Sequence, residues 1–227
     1  MILLTTGTGY LASSFINQLK NENHKTIIMY HNKRKTKDNL EFILSSDKDK
    51  LKKFELIHYS KIFNYKNSHE IDHIIHLSYS KSNDFKKTMD YDIYFTKKLF
   101  DFFNNRNILF ISSQRILDGA INLTENSDYF IENWYDLSKV FGELYLLGKN
   151  KKKSKIIRIP ILIGKNHCRY ITGQLIYEII RNIKTGKKIY IPEGNYGTSW
   201  IDPNNIANIV LNNELEFFRS ENFNTIN

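Results

Sequence analysis

The chain has 227 residues, 41% hydrophobic and 25% charged, enough for one well-buried core with a small appendage. No apolar run approaches the roughly 18 residues of a membrane helix. A single cysteine, Cys168, excludes an internal disulfide and a cysteine-built metal site, and it fits a reducing cytoplasm. The formal charge is +9, but the lysines are scattered rather than gathered into a stripe. Composition therefore accounts for them better than a nucleic-acid or membrane partner does.

Ile2-Leu3-Leu4 reads as a buried strand, not a signal peptide, because it runs into Thr and Gly without a basic leader or cleavage site. A helix through Leu11 to Leu19 follows, with Phe15, Ile16 and Leu19 on one face. Thr26 to Tyr30 is a second strand. Residues 32 to 52 are polar, with a short helix around Leu40 to Leu44. Phe54 to Ile57 and His73 to Leu77 are the third and fourth strands, and a long helix spans Phe85 to Phe103. Ile108 to Ile111 is a fifth strand that ends at Ser112-Ser113. Glu132 to Leu147 is helical, and Lys155 to Ile159 is a sixth strand. A helix (Thr172 to Lys184), a short strand (Lys188 to Ile191) and a last helix (Pro203 to Leu215) complete the order. Short apolar strands alternating with helices predict an α/β fold, a doubly wound parallel sheet of the Rossmann-like kind. Residues 1–164 are expected to form the dinucleotide-binding domain of that arrangement, and 165–227 a small substrate-binding region.

Two local patterns carry chemistry. Gly7 and Gly9, between the first strand and the first helix, let backbone N–H groups approach a pyrophosphate at a helix N-terminus. The second strand ends in His31-Asn32-Lys33-Arg34. No acid is present there to hold a ribose 2′-hydroxyl, and two cations are, which favours NADP over NAD. Tyr135 and Lys139, four apart on one helix face, form the second pattern. An ammonium beside a phenol stabilises the phenolate and makes it a usable acid or base. Ser113, at the end of the fifth strand, can hydrogen-bond the same substrate oxygen. Tyr94–Lys98 and Tyr145–Lys149 repeat the spacing. Tyr94 sits mid-helix where core packing is expected, and Tyr145 lies far from the strand ends.

With these residues in place the chain resembles the extended short-chain dehydrogenase/reductase family of nucleotide-sugar epimerases, dehydratases and reductases. Thr5 to Ala12 is similar to that family's TGGTGFIG turn. Asp72 to Ser78 is similar to its D-x-V-I-H-L-A segment, and Leu123-Thr124-Glu125 to its L-T-E loop. Tyr135 to Lys139 with Gly142-Glu143 resembles Y-x-x-S-K-x-x-G-E. Ile157-Arg158 through Gly164 resembles R-x-x-x-V-Y-G, and Trp200 to Ala207 resembles F-I-H-V-D-D-V-A. The segment Ile111 to Gly119 is most similar to the I-S-T-D-Y-V-F-D-G of dTDP-4-dehydrorhamnose reductases.

The resemblance implies an NADP-dependent reductase of a nucleotide-linked 4-keto sugar. Tyr135 would donate the proton, Lys139 would hold the ribose and tune Tyr135, and Ser113 would polarise the carbonyl. The alternatives are an epimerase using the same three groups, or a cofactor-binding pseudoenzyme or regulator. Strand ends and resemblance together assign the cofactor to Thr6, Gly7, Gly9, Tyr10, Leu11, His31, Asn32, Lys33, Arg34, Leu77, Ser78, Tyr79, Ile111, Tyr135, Lys139, Ile159 and Pro160. They assign the substrate to Ser80, Ser113, Gln114, Ile161 and Trp200, and no metal is expected. Dimerisation through the two long helices is a further expectation.

The chain departs from the pattern at three places. Thr6 replaces the first glycine of the turn, Asp92 stands where the family has Asn, and Gln114-Arg115 replace the acidic pair of the dehydratase branch. The last departure argues against dehydration. The family's chains also continue beyond the strand that Asn222 to Asn227 resemble, so an abbreviated substrate region is expected.

Overall fold

A computed structural model of the chain describes residues 1–45, 47–77, 84–117, 124, 127–149, 153–165, 175–189 and 199–212. Six strands, β1 (Ile2–Leu4), β2 (Thr26–Tyr30), β3 (Phe54–His58), β4 (His73–His76), β5 (Asn107–Ser113) and β6 (Ser154–Ile159), form one sheet in the order β3-β2-β1-β4-β5-β6. Every pairing is parallel, with Leu3 opposite both Ile27 and Ile74, and Ile111 opposite Ile157. The order reverses between β1 and β4. At such a switch point the helices after the two strands leave on opposite faces and open a crevice at the carboxyl ends.

Period-2 alternation sorts the strand residues into two cores. Ile2, Leu4, Ile28, Ile75, Leu109, Ile111 and Ile157 pack against Leu11, Phe15, Ile16 and Leu19 of α1 (Tyr10–Leu19) and Leu40 of α2 (Lys33–Ile43). Leu3, Ile27, Met29, Ile74, Ile108, Phe110 and Ile156 pack on the other face, against Leu99, Phe100 and Phe103 at the end of the long helix and Leu146 of α5 (Trp134–Lys149). Burial on both faces explains why these strands are continuously apolar rather than alternating with polar residues.

The long helix is one rod of three pieces: α3 (Phe85–Lys87), a π-helical stretch over Thr88–Tyr94, and α4 (Phe95–Phe102). Asp84 caps it by accepting a hydrogen bond from the Lys87 N–H at 2.9 Å. Beyond the sheet, β7 (Ile161–Leu162) pairs parallel with β8 (Trp200–Ile201), and α6 (Leu175–Lys184) and α7 (Pro203–Asn212) follow the chain order. Ile206, Ala207 and Val210 of α7 join the core beside α1.

Several expectations need correcting. The second helix starts at Lys33, not Leu40, because Asn32 caps it and Thr36 and Asn39 are buried against the first turn of the fold. Lys33 and Arg34 are therefore helical. The fifth strand carries Ser112 and Ser113 within it, paired with Arg158 and Ile159. Tyr94 is 57% exposed and does not pack in the core. Residues 188 and 189 are not in a strand, while 190 and 191 lie outside the described residues. The β7–β8 pair is absent from the sequence reading, since two-residue strands carry no periodicity.

Candidate functional site

β1 enters α1 through Thr5 to Gly9. Gly9 has a φ of 103°, which a residue with a side chain adopts only with strain, and a Cβ there would meet nothing within 4 Å. Gly7 is required for a different reason: its Cβ would lie 2.4 Å from Thr36 Cγ2. Asn39 of α2 pins the turn, with Nδ2 donating to the Gly7 carbonyl at 2.9 Å and to Ser13 Oγ at 3.0 Å. Ser13 Oγ donates in turn to the Gly9 carbonyl at 2.8 Å. Thr6 Oγ1 accepts from the Thr8 N–H at 3.4 Å, so the extra hydroxyl is engaged within the turn. α1 has no acidic residue in its first turn and no side-chain cap. Its leading N–H groups are the natural partners of an anion. Leu11 is buried in the core, whereas Tyr10 points its hydroxyl at the Lys165 carbonyl, 2.9 Å away, and accepts from Tyr177 at 3.0 Å. Burial and the Tyr177 hydroxyl raise the Tyr10 pKa.

At the end of β2, His31 stacks on Tyr59 with centroids 4.0 Å apart and meets Tyr91 edge-on at 5.6 Å. Burial, and then His58, lower the His31 pKa. Asn32 accepts from the Lys35 N–H at 3.0 Å as the cap of α2, so its amide serves the helix. Lys33 and Arg34 are exposed in a first turn that holds no acid.

β4 and β5 carry the inner part of the site. The Leu77 N–H donates to Thr5 Oγ1 at 3.0 Å. His76 is 1% exposed and bridges Thr5 Oγ1 (3.1 Å) and Thr96 Oγ1 (2.9 Å). Desolvation drops its pKa to about 3, so the ring is neutral. Its face stacks on Phe110, with centroids 5.5 Å apart.

Lys139 of α5 is 3% exposed and donates Nζ to the Ile111 carbonyl at 2.9 Å. The same ammonium lies 5.1 Å from the Phe110 ring centroid and 5.6 Å from that of Tyr135. α5 comes this close to β5 because of Gly142, whose Cβ would sit 2.4 Å from the Phe110 ring. Desolvation lowers the Lys139 pKa to about 8, opposed by the charges of Asp92 and then Glu143.

The end of β5 is tied to the start of α5 by one arginine. The Arg115 N–H donates to Ser113 Oγ at 3.2 Å. Its Nε donates to Asp136 at 3.1 Å and Nη2 to Glu132 at 2.7 Å. Asp136 is 1% exposed and also accepts from the Glu132 N–H at 3.1 Å. Gln114 accepts from the hydroxyl of Ser199, the residue before β8. A buried pair lies further along α5. Arg158 grips Glu143 through Nε (3.0 Å) and Nη2 (2.7 Å), and Tyr129 donates to Glu143 at 2.9 Å.

The fold thus gathers Ser113, Tyr135 and Lys139 around the carboxyl end of β5, with Ile111 supplying a carbonyl rather than its side chain. Thr6, Gly7 and Gly9 follow the end of β1, His31 the end of β2 and Leu77 the end of β4. Ile159 ends β6, and Pro160 stands between β6 and β7. Ile161 (43% exposed) and Trp200 (63%) are register partners on the β7–β8 pair and present apolar surface to solvent. Ser78, Tyr79 and Ser80 lie outside the described residues. Sequence reasoning missed Asn39, His76 and the linking role of Arg115. A buried amide in a polar helix is visible only once Gly7 is placed against it.

A model of the NAD dependent epimerase/dehydratase family matches residues 2–213. No curated protein matches the sequence. Among solved structures, the Bordetella bronchiseptica enzyme WbmG in complex with NAD and UDP superposes with a TM-score of 0.76 at 16% identity, covering 99% of this chain and 70% of that one. UDP-glucuronic acid 4-epimerase from Bacillus cereus, in complex with UDP-glucuronic acid and NAD, gives 0.71 at 18%, covering 94% and 73%. The dTDP-glucose 4,6-dehydratase DesIV from Streptomyces venezuelae, with NAD and TYD bound, gives 0.71 at 17%, covering 92% and 70%. At these identities the superpositions establish a common fold.

Proposed function

Because the chain belongs to the NAD dependent epimerase/dehydratase family, we propose that it is a nucleotide-sugar epimerase that uses NAD to invert a secondary alcohol of its substrate. The observation that carries the reading is the position of Lys139: its ammonium is fixed on the Ile111 carbonyl and faces the Tyr135 ring at the mouth of β5. The residues present fit a dinucleotide. The open side of Gly9 and the acid-free start of α1 suit a pyrophosphate, and the ring cluster of His31, Tyr59 and Tyr91 suits the adenosine end. Bound there, the nicotinamide supplies a hydride acceptor and donor.

The chain's own residues handle the proton. Tyr135 removes it from the sugar hydroxyl as the alcohol becomes a ketone, and returns it when the ketone is reduced on its other face. Lys139 stabilises the phenolate in between, and Ser113 donates a hydrogen bond to the same oxygen.

A reductase of a nucleotide-linked 4-keto sugar is the second reading, favoured by the likeness of Ile111 to Gly119 to that branch. The exposed Lys33 and Arg34, with no acid at the start of α2, suit the 2′-phosphate of NADP in that reaction. Dehydration fits less well, because Arg115 is bound to Asp136 and Glu132 and Gln114 to Ser199, leaving no acid at either position.

Incubation of the protein and NAD with UDP-glucuronic acid, UDP-N-acetylglucosamine and UDP-glucose tests the proposal by proton NMR of the sugar. Appearance of the C4 epimer from any of them supports it. Stoichiometric NADPH oxidation by a dTDP-linked 4-keto sugar, without epimer formation, selects the reductase instead. Failure of NAD(H) and NADP(H) alike to raise the melting temperature rejects both.

A further inference from the structure

Ser113 Oγ has a partner inside the chain. A hydroxyl carries one donor and two acceptor sites, and the Arg115 backbone N–H donates into one of the acceptor sites at 3.2 Å. That bond does not use the hydroxyl hydrogen, which is the atom Ser113 needs in order to donate to a substrate oxygen. Whatever holds Arg115 in place therefore bears on where Ser113 can donate.

Arg115 lies in the 3₁₀ turn Gln114–Leu117, directly after β5. Such turns have poorer hydrogen-bond geometry than an α-helix, so outside contacts decide where this one sits. Its far end is held by packing. Ile116 and Leu117 are buried against Val140 of α5, and the Phe130 N–H donates to the Ile116 carbonyl at 2.7 Å. Its near end is held by charge. Arg115 reaches Asp136 through Nε at 3.1 Å and Glu132 through Nη2 at 2.7 Å. Asp136 follows Tyr135 in the chain and is 1% exposed. Both its oxygens are engaged, Oδ1 by Arg115 and Oδ2 by the Glu132 N–H at 3.1 Å, and its own N–H donates to Asn133 Oδ1 at 3.0 Å. The anchor is thus built into the first turn of α5, the turn that carries Tyr135. An acid at position 115 would face Asp136 and Glu132 and be repelled by both, so the cation there and the acid at 136 belong together.

We propose that Arg115, anchored on Asp136, is a positioning residue that sets the Ser113 hydroxyl against Tyr135. Its backbone half orients Ser113, and its side-chain half fixes the turn to the residue beside Tyr135. The inference deepens the function proposed above and rests on it, since it takes Ser113 and Tyr135 as the groups that share the substrate oxygen.

Two measurements test it, one without substrate and one with it. In the cofactor-free protein, amide hydrogen exchange followed by NMR reports the bond from residue 115 to Ser113 Oγ. Arg115→Ala keeps the backbone N–H and removes the anchor. It is expected to lower protection at residue 115 by about tenfold or more, the size of a lost hydrogen bond to a charged group. Leu146 and Ile156, both buried in the core, should stay within about twofold of wild type. Arg115→Lys should recover part of the loss. Asp136→Asn, read at the same amide, covers the case in which Arg115→Ala does not fold: it removes the counter-charge and should lower protection in the same direction. With an accepted sugar, Arg115→Ala should lower kcat by about 10- to 100-fold while KM moves by less than about threefold. In a chain already carrying Ser113→Ala, adding Arg115→Ala should cost nothing further, because nothing is left to position. Unchanged protection at residue 115, an equal fall at Leu146 and Ile156, or additive losses in the double variant overturns the proposal. A wild-type protein that turns over none of the sugars but shows the expected exchange pattern rejects the proposed function and leaves the placement of Ser113 by Arg115 intact.

Discussion

The six-stranded sheet and the β7–β8 corner solve different problems. In the sheet, the ionisable groups around Lys139 are buried and held by more than one partner. Lys139 is fixed by a carbonyl and two rings, His76 by two hydroxyls, and Glu143 by an arginine and a phenol. At the corner, Ile161, Ile180, Ile183 and Trp200 are between 43% and 64% exposed. Among the described residues the links to the sheet include hydrogen bonds from Tyr177 to Tyr10 and from Ser199 to Gln114, the packing of Leu162 and Ile201 against the core, and the face of α7. The difference teaches where each kind of specificity resides. Fixed geometry belongs to chemistry that must be held to a fraction of an ångström. Exposed apolar surface beside it is the natural material for recognising a substrate.

Substitutions separate the two regions. Lys139→Met leaves the buried Ile111 carbonyl without its ammonium donor and is expected to lower stability. Turnover should fall by about 10²–10⁴-fold, and retained turnover would break the comparison at its centre. Arg158→Ala strips the partner from Glu143, which is 0% exposed. Loss of one side of a buried pair should cost about 3–5 kcal/mol in urea unfolding.

His76 makes the sheet half sensitive to acid. Its pKa falls from 6.5 unfolded to about 3 folded. The stability this neutral ring contributes is complete above the unfolded value. It is lost as pH falls, because the unfolded chain takes up the proton and the folded one does not. Below pH 6.5 the protein should lose up to about 1.4 kcal/mol per unit, and His76→Gln should flatten that slope. Gly142→Ala forces a Cβ into the Phe110 ring. The expected loss is about 1–3 kcal/mol, less the gain in helix propensity, and Phe110→Leu in the same chain should recover part of it. At the corner, Trp200→Ala should change stability by less than about 0.5 kcal/mol while raising the substrate KM with little change in kcat. A large stability loss there would mean that Trp200 is structural and the contrast between the regions is wrong.

Much of this was legible in the chain. The first, second, third, fourth and sixth strands stand within a residue of where their apolar runs place them. The glycine turn and the Tyr135–Lys139 spacing point to the two ends of the site, because both patterns are local: a strand followed by glycines and a helix, and two residues four apart. From sequence the second helix reads as a polar stretch with only a short helix around Leu40 to Leu44, because its own composition is polar. Its buried residues, Thr36 and Asn39, are polar ones that gain partners only from the glycine turn.

Composition and periodicity by themselves determined a parallel sheet covered on both faces, and the residues at its carboxyl edge, because burial on two faces demands continuous apolar strands. The tertiary structure decided which charges survive inside. Ile111 and Lys139 are 28 positions apart in the sequence, and nothing local couples them. Only the close approach of α5 to β5, allowed by the missing side chain at Gly142, sets that ammonium on the Ile111 carbonyl. In a medium that water does not screen, a charge acts on whatever lies near it in space, however far along the chain.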